Sequence, residues 1–596
     1  MTLNEAPATT NYYALNKPAG QERKATLGSA LKRLAPLMAD ERRSVAIAVA
    51  AILTSSLSGL LGPVIIAHAV DVYVQRGDFG GVVRWAAILL AIYLVGLVSS
   101  YVQTMTMGRV GRQVLYKLRN AIFTKLQQLP LDFFNQNKAG DLISRINNDT
   151  DKLNVFFAQS LMQFASNLFF MTGAAIFILA LNARLGLAAL APALGVLIVT
   201  QLLSAWVKRK NLASLQSLGG MSAEIQESLS NFRVIVAFNR LDYFRQKFNA
   251  ANEQTYAASV GAGMANNVFM PIYGLAHNLA QLVVLAYGIV LIAAGDMTVG
   301  LLIGFLLYVN NFYIPLRQLA AVWTAYQQAL AALDRISAVL MLESNLPVVP
   351  AVEPARSGAL LEFEHVAFSY PGGQDVLRDS TFRLERGKTY ALVGPTGGGK
   401  TTTASLMARL YDPTGGRVLL DGKDIRTCQP EERTGKIGFI LQEPFLFTGT
   451  IRDNVLYGND RFNKYSNEQI VELLGERNLD SLLARFEHGL ETKVTSGGDG
   501  ISLGQKQLIA FMRAVLRDPA LLILDEATAN IDTVTEQLLE QILEKLPPST
   551  TKVIIAHRLN TIANADEIFF VNARDITPAG SMEHALDMLL HGKRAS

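Results

Sequence analysis

One glycine-rich segment has the spacing of a loop that holds phosphates. Gly394-Pro-Thr-Gly-Gly-Gly-Lys400-Thr401 fits the pattern G-x-x-x-x-G-K-[ST], after the strand-like run Thr389–Val393 and before the helical run Thr402–Leu410. Glycines let backbone N–H groups surround phosphate oxygens, and the following helix presents its positive end to them. Lys400 is expected to reach the β- and γ-phosphates of a nucleoside triphosphate, and the Thr401 hydroxyl to bind Mg²⁺. The candidate residues of this segment are Gly394, Thr396, Gly397, Gly398, Gly399, Lys400, Thr401 and Thr402.

Two later strand-like runs end in residues that suit hydrolysis. The apolar run Ala520–Glu526 (ALLILDE) predicts a buried strand that delivers Asp525 to Mg²⁺ and Glu526 to the attacking water. A carboxylate pair at the end of a buried strand is rarely structural, because an unpaired buried charge is unfavourable. A further strand ends before His557, which is expected to hold the γ-phosphate and the water in register. A lone histidine is more often structural; the position at a strand end favours the catalytic interpretation.

The composition indicates that part of the chain faces lipid. Of 596 residues, 50% are hydrophobic and 17% are charged, against about 25% charged in an average soluble protein. Between Ser44 and Trp323 there are six apolar stretches, each near the ~20 residues that cross a bilayer. The predicted spans are Val45–Val74, Trp85–Thr106, Ser160–Leu181, Leu185–Val207, Val268–Ala294 and Leu301–Trp323.

After Arg335 the sequence changes to short alternating apolar and polar runs, which are typical of an α/β domain. The predicted fold is therefore multidomain, with an all-α six-helix transmembrane domain followed by an α/β P-loop nucleotide-binding domain. Three prolines place a linker at Glu343–Gly358. The expected division is a mobile tail over residues 1–24, the transmembrane domain over 25–342, the linker over 343–358 and the nucleotide domain over 359–596.

Basic residues set the expected orientation. They concentrate in the connections between spans two and three and between spans four and five, which places both connections, both termini and the nucleotide domain in the cytoplasm of a multi-pass inner (cytoplasmic) membrane protein. If each connection folds as two helices, it reaches about 35–40 Å from the membrane. The turns are expected near Phe133–Asp141 and Ser217–Ser222, where Gly140, Gly219 and Gly220 lie. The alternative is that both connections are plain exposed loops.

Charge and cysteine content exclude other classes. A net charge of +4 is too small to favour nucleic acid as a partner, and the single cysteine, Cys428, excludes an internal disulfide framework. Polar residues on or beside the spans suit either helix–helix hydrogen bonding, the simpler interpretation, or contact with cargo. With no strong charge array among them, hydrophobic or amphipathic cargo is favoured. These polar residues are His68, Asp71, Asn266, Asn267, His277, Asn278, Gln281, Asn310 and Asn311.

Further motifs carry a family resemblance. Ile501-Ser-Leu-Gly-Gln505 resembles the signature of ABC transporters, and Gln442 resembles the family's Q-loop residue. Asp532 closes a run similar to the D-loop, and Tyr370 resembles the aromatic residue on which adenine stacks. With six spans in the same chain, the sequence resembles an ABC exporter half-transporter, closest to the competent-site subunit of bacterial heterodimeric multidrug exporters. Homodimeric lipid and drug exporters differ from it only modestly. Ile501 and Leu503 replace the usual leucine and glycine of the signature.

The resemblance implies a composite ATP site. Two nucleotide domains would bind head to tail, so that Ser502, Gly504 and Gln505 of one chain complete the ATP cage of the other, with Gln442 at Mg²⁺ and Asp532 in the D-loop. The implied function is ATP-driven export of hydrophobic or amphipathic compounds, drugs or lipids, by a dimer of half-transporters. An ATP-gated channel-like or regulatory membrane protein and a peptide exporter are the alternatives, and homodimer and heterodimer both remain open.

Overall fold

The computed structural model describes residues 13, 15, 39–343, 346, 358–371, 373–495, 498, 500–525, 533–555, 564–572, 574–580 and 582–591. The chain divides into two compact units. Unit one comprises Met1–Lys17, Gln127–Ala139 and Leu342–Ser596, and unit two comprises Pro18–Leu126 and Gly140–Met341. Most of the tail predicted over 1–24 and most of the linker predicted over 343–358 lie outside the described residues.

Helices make up the N-terminal region. Three π-helical segments interrupt them at Val70–Val74, Arg145–Asp149 and Phe156–Ser160. The helices are α1 Arg42–Ala69, α2 Phe79–Gln128, α3 Leu131–Gln136, α4 Ala139–Ser144, α5 Thr150–Val155, α6 Leu161–Leu181, α7 Ala183–Ser230, α8 Phe232–Ala237, α9 Leu241–Asn267, α10 Phe269–Ala293 and α11 Val299–Leu340.

Six helical stretches in the described part of the chain are long and apolar enough to cross a membrane. The six spans predicted from hydropathy fall within them to within one residue, so the prediction is confirmed. These stretches are Ala39–Val74, Phe79–Gln128, Ala139–Leu181, Ala183–Ser230, Leu241–Ala293 and Val299–Leu340.

The helices between the spans extend well beyond a bilayer. With 48 residues, α7 is about 72 Å long, whereas the hydrocarbon core is about 30 Å thick. The prediction that the long connections are helical extensions is therefore confirmed. The first connection is interrupted between α3 and α4, at residues 137–138, inside the predicted Phe133–Asp141.

The predicted position of the second turn is wrong. Gly219 and Gly220 lie inside α7, and the chain reverses only between α7 and α9, where α8 forms the tip. Each glycine disfavours a helix by about 1 kcal/mol, but packing along α9 offsets this loss. Ser217 Oγ lies 3.1 Å from Thr255 Oγ1, and that hydroxyl also donates to the Ser217 carbonyl at 3.2 Å.

Side chains at the end of α1 hold the start of α11. Asp71 accepts hydrogen bonds from Thr298 Oγ1 at 2.5 Å and from the Gly300 N–H at 2.8 Å. A Cβ at Gly300 would lie 2.3 Å from the Ala67 carbonyl oxygen, so only glycine allows this approach. Further along, the Tyr308 hydroxyl donates to the Leu60 carbonyl at 2.6 Å. The predicted polar residue Asp71 thus serves helix–helix contact.

Unit one contains a six-stranded sheet in the order β12-β11-β3-β10-β9-β6, a four-stranded sheet in the order β2-β1-β4-β5 and a β7-β8 pair. Its strands are β1 Leu361–Ser369, β2 Asp375–Leu384, β3 Thr389–Val393, β4 Gly415–Leu420, β5 Lys423–Asp424, β6 Ile437–Ile440, β7 Gly449–Thr450, β8 Lys493–Val494, β9 Leu521–Asp525, β10 Thr551–Ile555, β11 Glu567–Asn572 and β12 Asp575–Pro578. Its other helices are α12 Lys400–Met407, α13 Pro430–Lys436, α14 Ile451–Val455, α15 Asn467–Glu476, α16 Asp480–Leu483, α17 Leu503–Val515, α18 Thr533–Glu544 and α19 Met582–His591.

The parallel strands of the larger sheet position the site. Ile555 at the end of β10 pairs with Leu392 of β3 on one side and with Asp525 of β9 on the other. Strand β6 pairs with β9 in the same direction. Ligands of open α/β sheets bind at the carboxyl ends of such strands. The glycine-rich loop after β3, the acidic end of β9 and the segment after β6 therefore share one edge.

Candidate nucleotide site

The loop after β3 is built for close approach of backbone to phosphate. Gly394 has φ +156°, and a Cβ there would lie 2.1 Å from the Val571 carbonyl oxygen. Gly399, at φ +108°, stands directly before α12. Residues with a Cβ are disfavoured at both positions, so the glycines are required by the geometry of the loop. The loop also contains Thr396, Gly397 and Gly398, in the order that the sequence predicts.

The lysine of the loop is drawn inward. Lys400 is buried, and its Nζ donates hydrogen bonds to the carbonyls of Gly394 at 2.8 Å and Pro395 at 3.0 Å. The ammonium group therefore lies inside the curve of the loop at the start of α12. A fixed positive charge in a glycine cradle, at a helix N-terminus, is an anion site suited to phosphates.

The two predicted metal ligands of adjacent elements meet. Thr401 Oγ1 donates to Asp525 Oδ1 at 3.3 Å, and Asp525 is almost fully buried at the end of β9. Gln442, the third predicted ligand, follows β6, the neighbour of β9 in the sheet. Hydroxyl, carboxylate and amide oxygens are the donor types that Mg²⁺ prefers, so the residues present fit the ion. Among the described residues there is no cluster of three His, Cys, Asp or Glu side chains that suggests another metal site.

The predicted adenine platform belongs to a group of three aromatic rings. The Tyr370 hydroxyl lies 3.0 Å from Thr402 Oγ1, which ties the ring to α12. Its ring packs edge-on against Tyr411 at 5.4 Å and against Phe368 at 4.9 Å between centroids. Such edge-to-face pairs fix ring orientation.

Tyr411 also connects this group to the first hairpin, between the second and third spans. Asn135 on α3 donates through its side-chain amide to the Tyr411 hydroxyl at 2.6 Å. Burial raises the pKa of Tyr411 to about 12, so the phenol stays neutral at physiological pH. Sequence reasoning missed both residues because 276 positions separate them. The one signal available was the second tyrosine, close after the helix that follows the glycine loop.

The signature serine caps its own helix. Ser502 Oγ accepts from the Gln505 N–H at 3.2 Å, and Gln505 Oε1 accepts from the Ser502 N–H at 3.1 Å, which together form a capping box at the start of α17. The serine oxygen acts as an acceptor here, so its hydrogen is available to an incoming anion. Leu503 and Gly504 occupy the first turn of α17, where leucine in place of glycine meets no backbone constraint.

Arg513 organises the region between the Q-loop and the signature helix and was not predicted. Its guanidinium donates to the Asn454 carbonyl at 2.7 Å and to the Phe445 carbonyl at 3.3 Å. It also lies over the ring of Tyr457, 5.5 Å from its centroid. Burial lowers the pKa of this guanidinium, which nevertheless remains charged. The residue links α17 to the segment that follows Gln442.

Three predicted residues, Glu526, Asp532 and His557, lie outside the described residues. The strands that precede two of them do lie side by side, since Asp525 pairs with Ile555. In the membrane helices, Gln281 donates to Asn310 at 3.2 Å, and Asn211 and Asn266 exchange side-chain hydrogen bonds at 2.9 and 3.0 Å. These hydrogen bonds join neighbouring helices, as the simpler interpretation of the polar residues on or beside the spans predicts.

The fold and site together define a P-loop nucleotide-binding protein with six membrane spans in the same chain. Two family models match it: the ABC transporter transmembrane region over residues 45–316 and the ABC transporter family over residues 377–529.

Relatives match along nearly the whole chain. The ABC transporter ATP-binding protein YfiC of Bacillus subtilis is 33% identical over 93% of this chain and 92% of its own. A fatty acid ABC transporter ATP-binding/permease protein of Mycobacterium bovis is 33% identical over 85% of this chain and 80% of its own. A multidrug resistance ABC transporter ATP-binding and permease protein of Lactococcus lactis is 30% identical over 83% of each.

The chain belongs to the ABC transporter family, as an exporter-type half-transporter with one transmembrane region and one ATP-binding domain. It is a multi-pass membrane protein that binds ATP, and it is an ATPase coupled to transport.

Proposed function

We propose that this chain exports hydrophobic or amphipathic compounds, drugs or lipids, across the cytoplasmic membrane. ATP-induced closure of two nucleotide domains would drive alternating access of the spans. The observation that carries the proposal is the pairing of Thr401 with Asp525 beside the inward-drawn Lys400, in a chain with six membrane-spanning helices. The proposed division places the membrane domain at residues 25–342, with the tail before it, the linker at 343–358 and the nucleotide domain at 359–596 in the cytoplasm.

Each residue of the site has a proposed task. Lys400 and the loop N–H groups bind the β- and γ-phosphates, and Tyr370 stacks on adenine. Thr401, Asp525 and Gln442 would hold Mg²⁺, which supplies charge neutralisation between the phosphates. Glu526 orients and polarises the attacking water, while His557 holds the γ-phosphate in register with it. Electrostatic stabilisation and positioning account for most of the rate in phosphoryl transfer of this kind.

A second half-transporter is the proposed partner. Only 6% of the most apolar part of the second span is buried within this single chain. At the tip of the second hairpin, Val234 is 55% exposed and Phe238 is 76% exposed. Since α7 carries this tip about 40 Å beyond a bilayer, lipid does not cover it. A partner protein would cover this tip. The ATP site of each chain would be completed by residues of the other chain, namely Ser502, Gly504, Gln505 and Asp532.

Hydrophobic or amphipathic cargo is the proposed substrate class. The relatives named as a fatty acid transporter and a multidrug resistance transporter support it. Within the membrane domain, partly buried aromatic side chains such as Phe177 and Phe312 accompany few ionisable groups. Sites for apolar ligands are lined predominantly by hydrophobic and aromatic side chains of this kind.

The test uses Glu526→Gln in the purified full-length protein. We expect ATP to be trapped and the ATPase rate to fall at least 100-fold, because the water loses its orienting base while nucleotide binding persists. Lys400→Ala serves as the matched control, in which ATP binding itself is lost. An unchanged ATPase rate in Glu526→Gln would remove the catalytic assignment.

The same preparation distinguishes the exporter from the alternative function, a channel-like protein gated by ATP. For a channel-like protein gated by ATP, Glu526→Gln with ATP would hold an open pore, and ion conductance across a planar bilayer would rise. For the exporter, conductance stays at background while uptake of a lipophilic dye into inside-out vesicles requires hydrolysis. Native mass spectrometry of the chain purified alone distinguishes an active homodimer from a subunit that requires a different partner.

A further inference from the structure

A short N-terminal stretch lies against the tip of the first cytoplasmic hairpin. The Tyr13 side chain is 1% exposed and packs edge-on against Phe133 of α3, with ring centroids 6.2 Å apart. Phe133 is itself fully buried. A tyrosine buried to this extent removes a large apolar area from water and orients its hydroxyl. The contact is therefore specific in position and direction.

Asn137, just after α3, binds the backbone of the same stretch. Its Nδ2 donates to the Tyr13 carbonyl at 2.8 Å, and its Oδ1 accepts from the Leu15 N–H at 3.1 Å. The same Nδ2 donates to the Phe133 carbonyl at 2.8 Å. One amide thus satisfies the last turn of α3 and two backbone groups of the N-terminal stretch, as a neighbouring β-strand would.

The tyrosine hydroxyl reaches a third part of the chain. It donates to the Glu343 carbonyl at 3.0 Å, three residues after α11 ends at Leu340. On α3, Asn135 in turn donates to Tyr411 beside the adenine platform. Within unit one, α3 is therefore joined on one side to the aromatic group of the nucleotide site and on the other to the N-terminal stretch.

We propose that Tyr13 and Leu15, here called the N-terminal strap, position α3 against the start of the linker after α11. Tyr13 and Asn137 are positioning residues: they touch neither ATP nor cargo, and they hold the helix that receives movement from the nucleotide site. Without the strap, α3 moves independently of Glu343, and closure of the nucleotide domains is passed on less completely. This role rests on the proposed function, since it needs nucleotide-driven movement to transmit.

The experiment measures amide hydrogen exchange of Leu131–Gln136 in the full-length dimer in lipid nanodiscs, together with ATPase kinetics. In Tyr13→Ala we expect exchange in α3 at least tenfold faster than in the unmodified protein. The KM for ATP should stay within twofold, because the phosphate loop is untouched. The kcat should rise two- to threefold, because hydrolysis is released from membrane-helix movement.

Two matched pairs separate the strap from general stability. Tyr13→Phe retains the ring against Phe133 and should restore exchange to within threefold of the unmodified protein, while its kcat should still rise, because the hydrogen bond to the Glu343 carbonyl is lost. Leu15→Pro removes the N–H that donates to Asn137 Oδ1 and should change exchange and kcat in the same direction as Tyr13→Ala, but less. Leu15→Ala retains that N–H and should change neither quantity.

Two results would overturn the strap. One is exchange and kcat in Tyr13→Ala equal to those of the unmodified protein. The other is equal effects of Leu15→Pro and Leu15→Ala. Failure of the proposed function has a separate signature: the unmodified protein would then show no difference in exchange of its membrane helices between ATP with vanadate and no nucleotide.

Discussion

The two long hairpins between the spans end in short helices of equal length and different surroundings. In the first, α3, Phe133 is fully buried and Asn135 and Asn137 hydrogen-bond to other parts of unit one. In the second, α8, Ile235 is the one buried residue, while its apolar neighbours Val234 and Val236 are about half exposed.

The difference indicates what each tip binds. Water disfavours exposed valine and phenylalanine side chains by about 1–3 kcal/mol each, and such patches usually mark interaction sites. Its own chain covers part of the first tip, where Phe133 is buried while Leu131 and Phe134 are 41% and 42% exposed, whereas the second tip leaves most of its apolar side chains exposed. This contrast supports the proposal that the second hairpin binds a partner chain.

The strongest way to break the comparison is to remove one phenylalanine from each tip. Phe133→Ala should destabilise unit one by about 3–5 kcal/mol, because it leaves a cavity in a packed site. Phe238→Ala, at an exposed position, should change the stability of the single chain by less than about 0.5 kcal/mol. Calorimetry of detergent-solubilised protein at low concentration measures both. Equal losses in the two variants would contradict the contrast.

Placing a charge on the open tip tests its partner. In Val234→Asp, closing the interface buries a carboxylate against apolar surface, at about 3 kcal/mol, so dimers should dissociate about 100-fold more readily. Mass photometry and the ATPase rate report the change. Ala223→Asp, at an exposed position of α7 outside the tip, is the control. A dimer of unchanged stability in Val234→Asp would mean that α8 faces solvent.

The hydrogen bond at the closed tip allows a finer test. Tyr411→Phe removes the acceptor of Asn135 while the ring still packs on Tyr370, so α3 should lose about 1 kcal/mol of local stability, or roughly fivefold in amide exchange. ATP affinity should stay within twofold. Tyr370→Phe, which affects only the contact with Thr402, should leave exchange in α3 unchanged. The opposite ranking of the two variants would disprove the connection.

The smallest effect tests where the second hairpin turns. Gly219→Ala and Gly220→Ala lie in the middle of α7, and no other atom lies within 4 Å of a Cβ at either position. Each should therefore stabilise the helix by about 0.5–1 kcal/mol. Thermal unfolding followed by circular dichroism measures the gain. Destabilisation by either alanine would instead favour a turn at Ser217–Ser222.

Local patterns in the sequence predicted the spans and the phosphate loop, but they did not predict contacts between residues far apart in the chain. Hydropathy depends on runs of about 20 residues, and the loop depends on eight consecutive positions, so both are visible without tertiary structure. Buried apolar runs also predicted the two strands that the structure has as β9 and β10, which end at Asp525 and Ile555.

The missed features depend on residues far apart in the chain. The contact between the hydroxyls of Ser217 and Thr255 helps α7 continue past Gly219 and Gly220, a pair that by itself predicts a turn. Arg513 joins the Q-loop segment to the signature helix from 59 positions beyond Asn454. Tyr13 meets Glu343 across 330 residues. No property of these residue types distinguishes them from ordinary helix and surface positions.

The aspartate that holds the start of α11 has a consequence for that end of the membrane helices. If α1 and α11 part there, Asp71 loses the Thr298 hydroxyl and the Gly300 N–H together, and a helix terminus is left without its acceptor. Separation of α1 and α11 at this end therefore loses at least two hydrogen bonds at once, which favours the arrangement in which the two helices stay together.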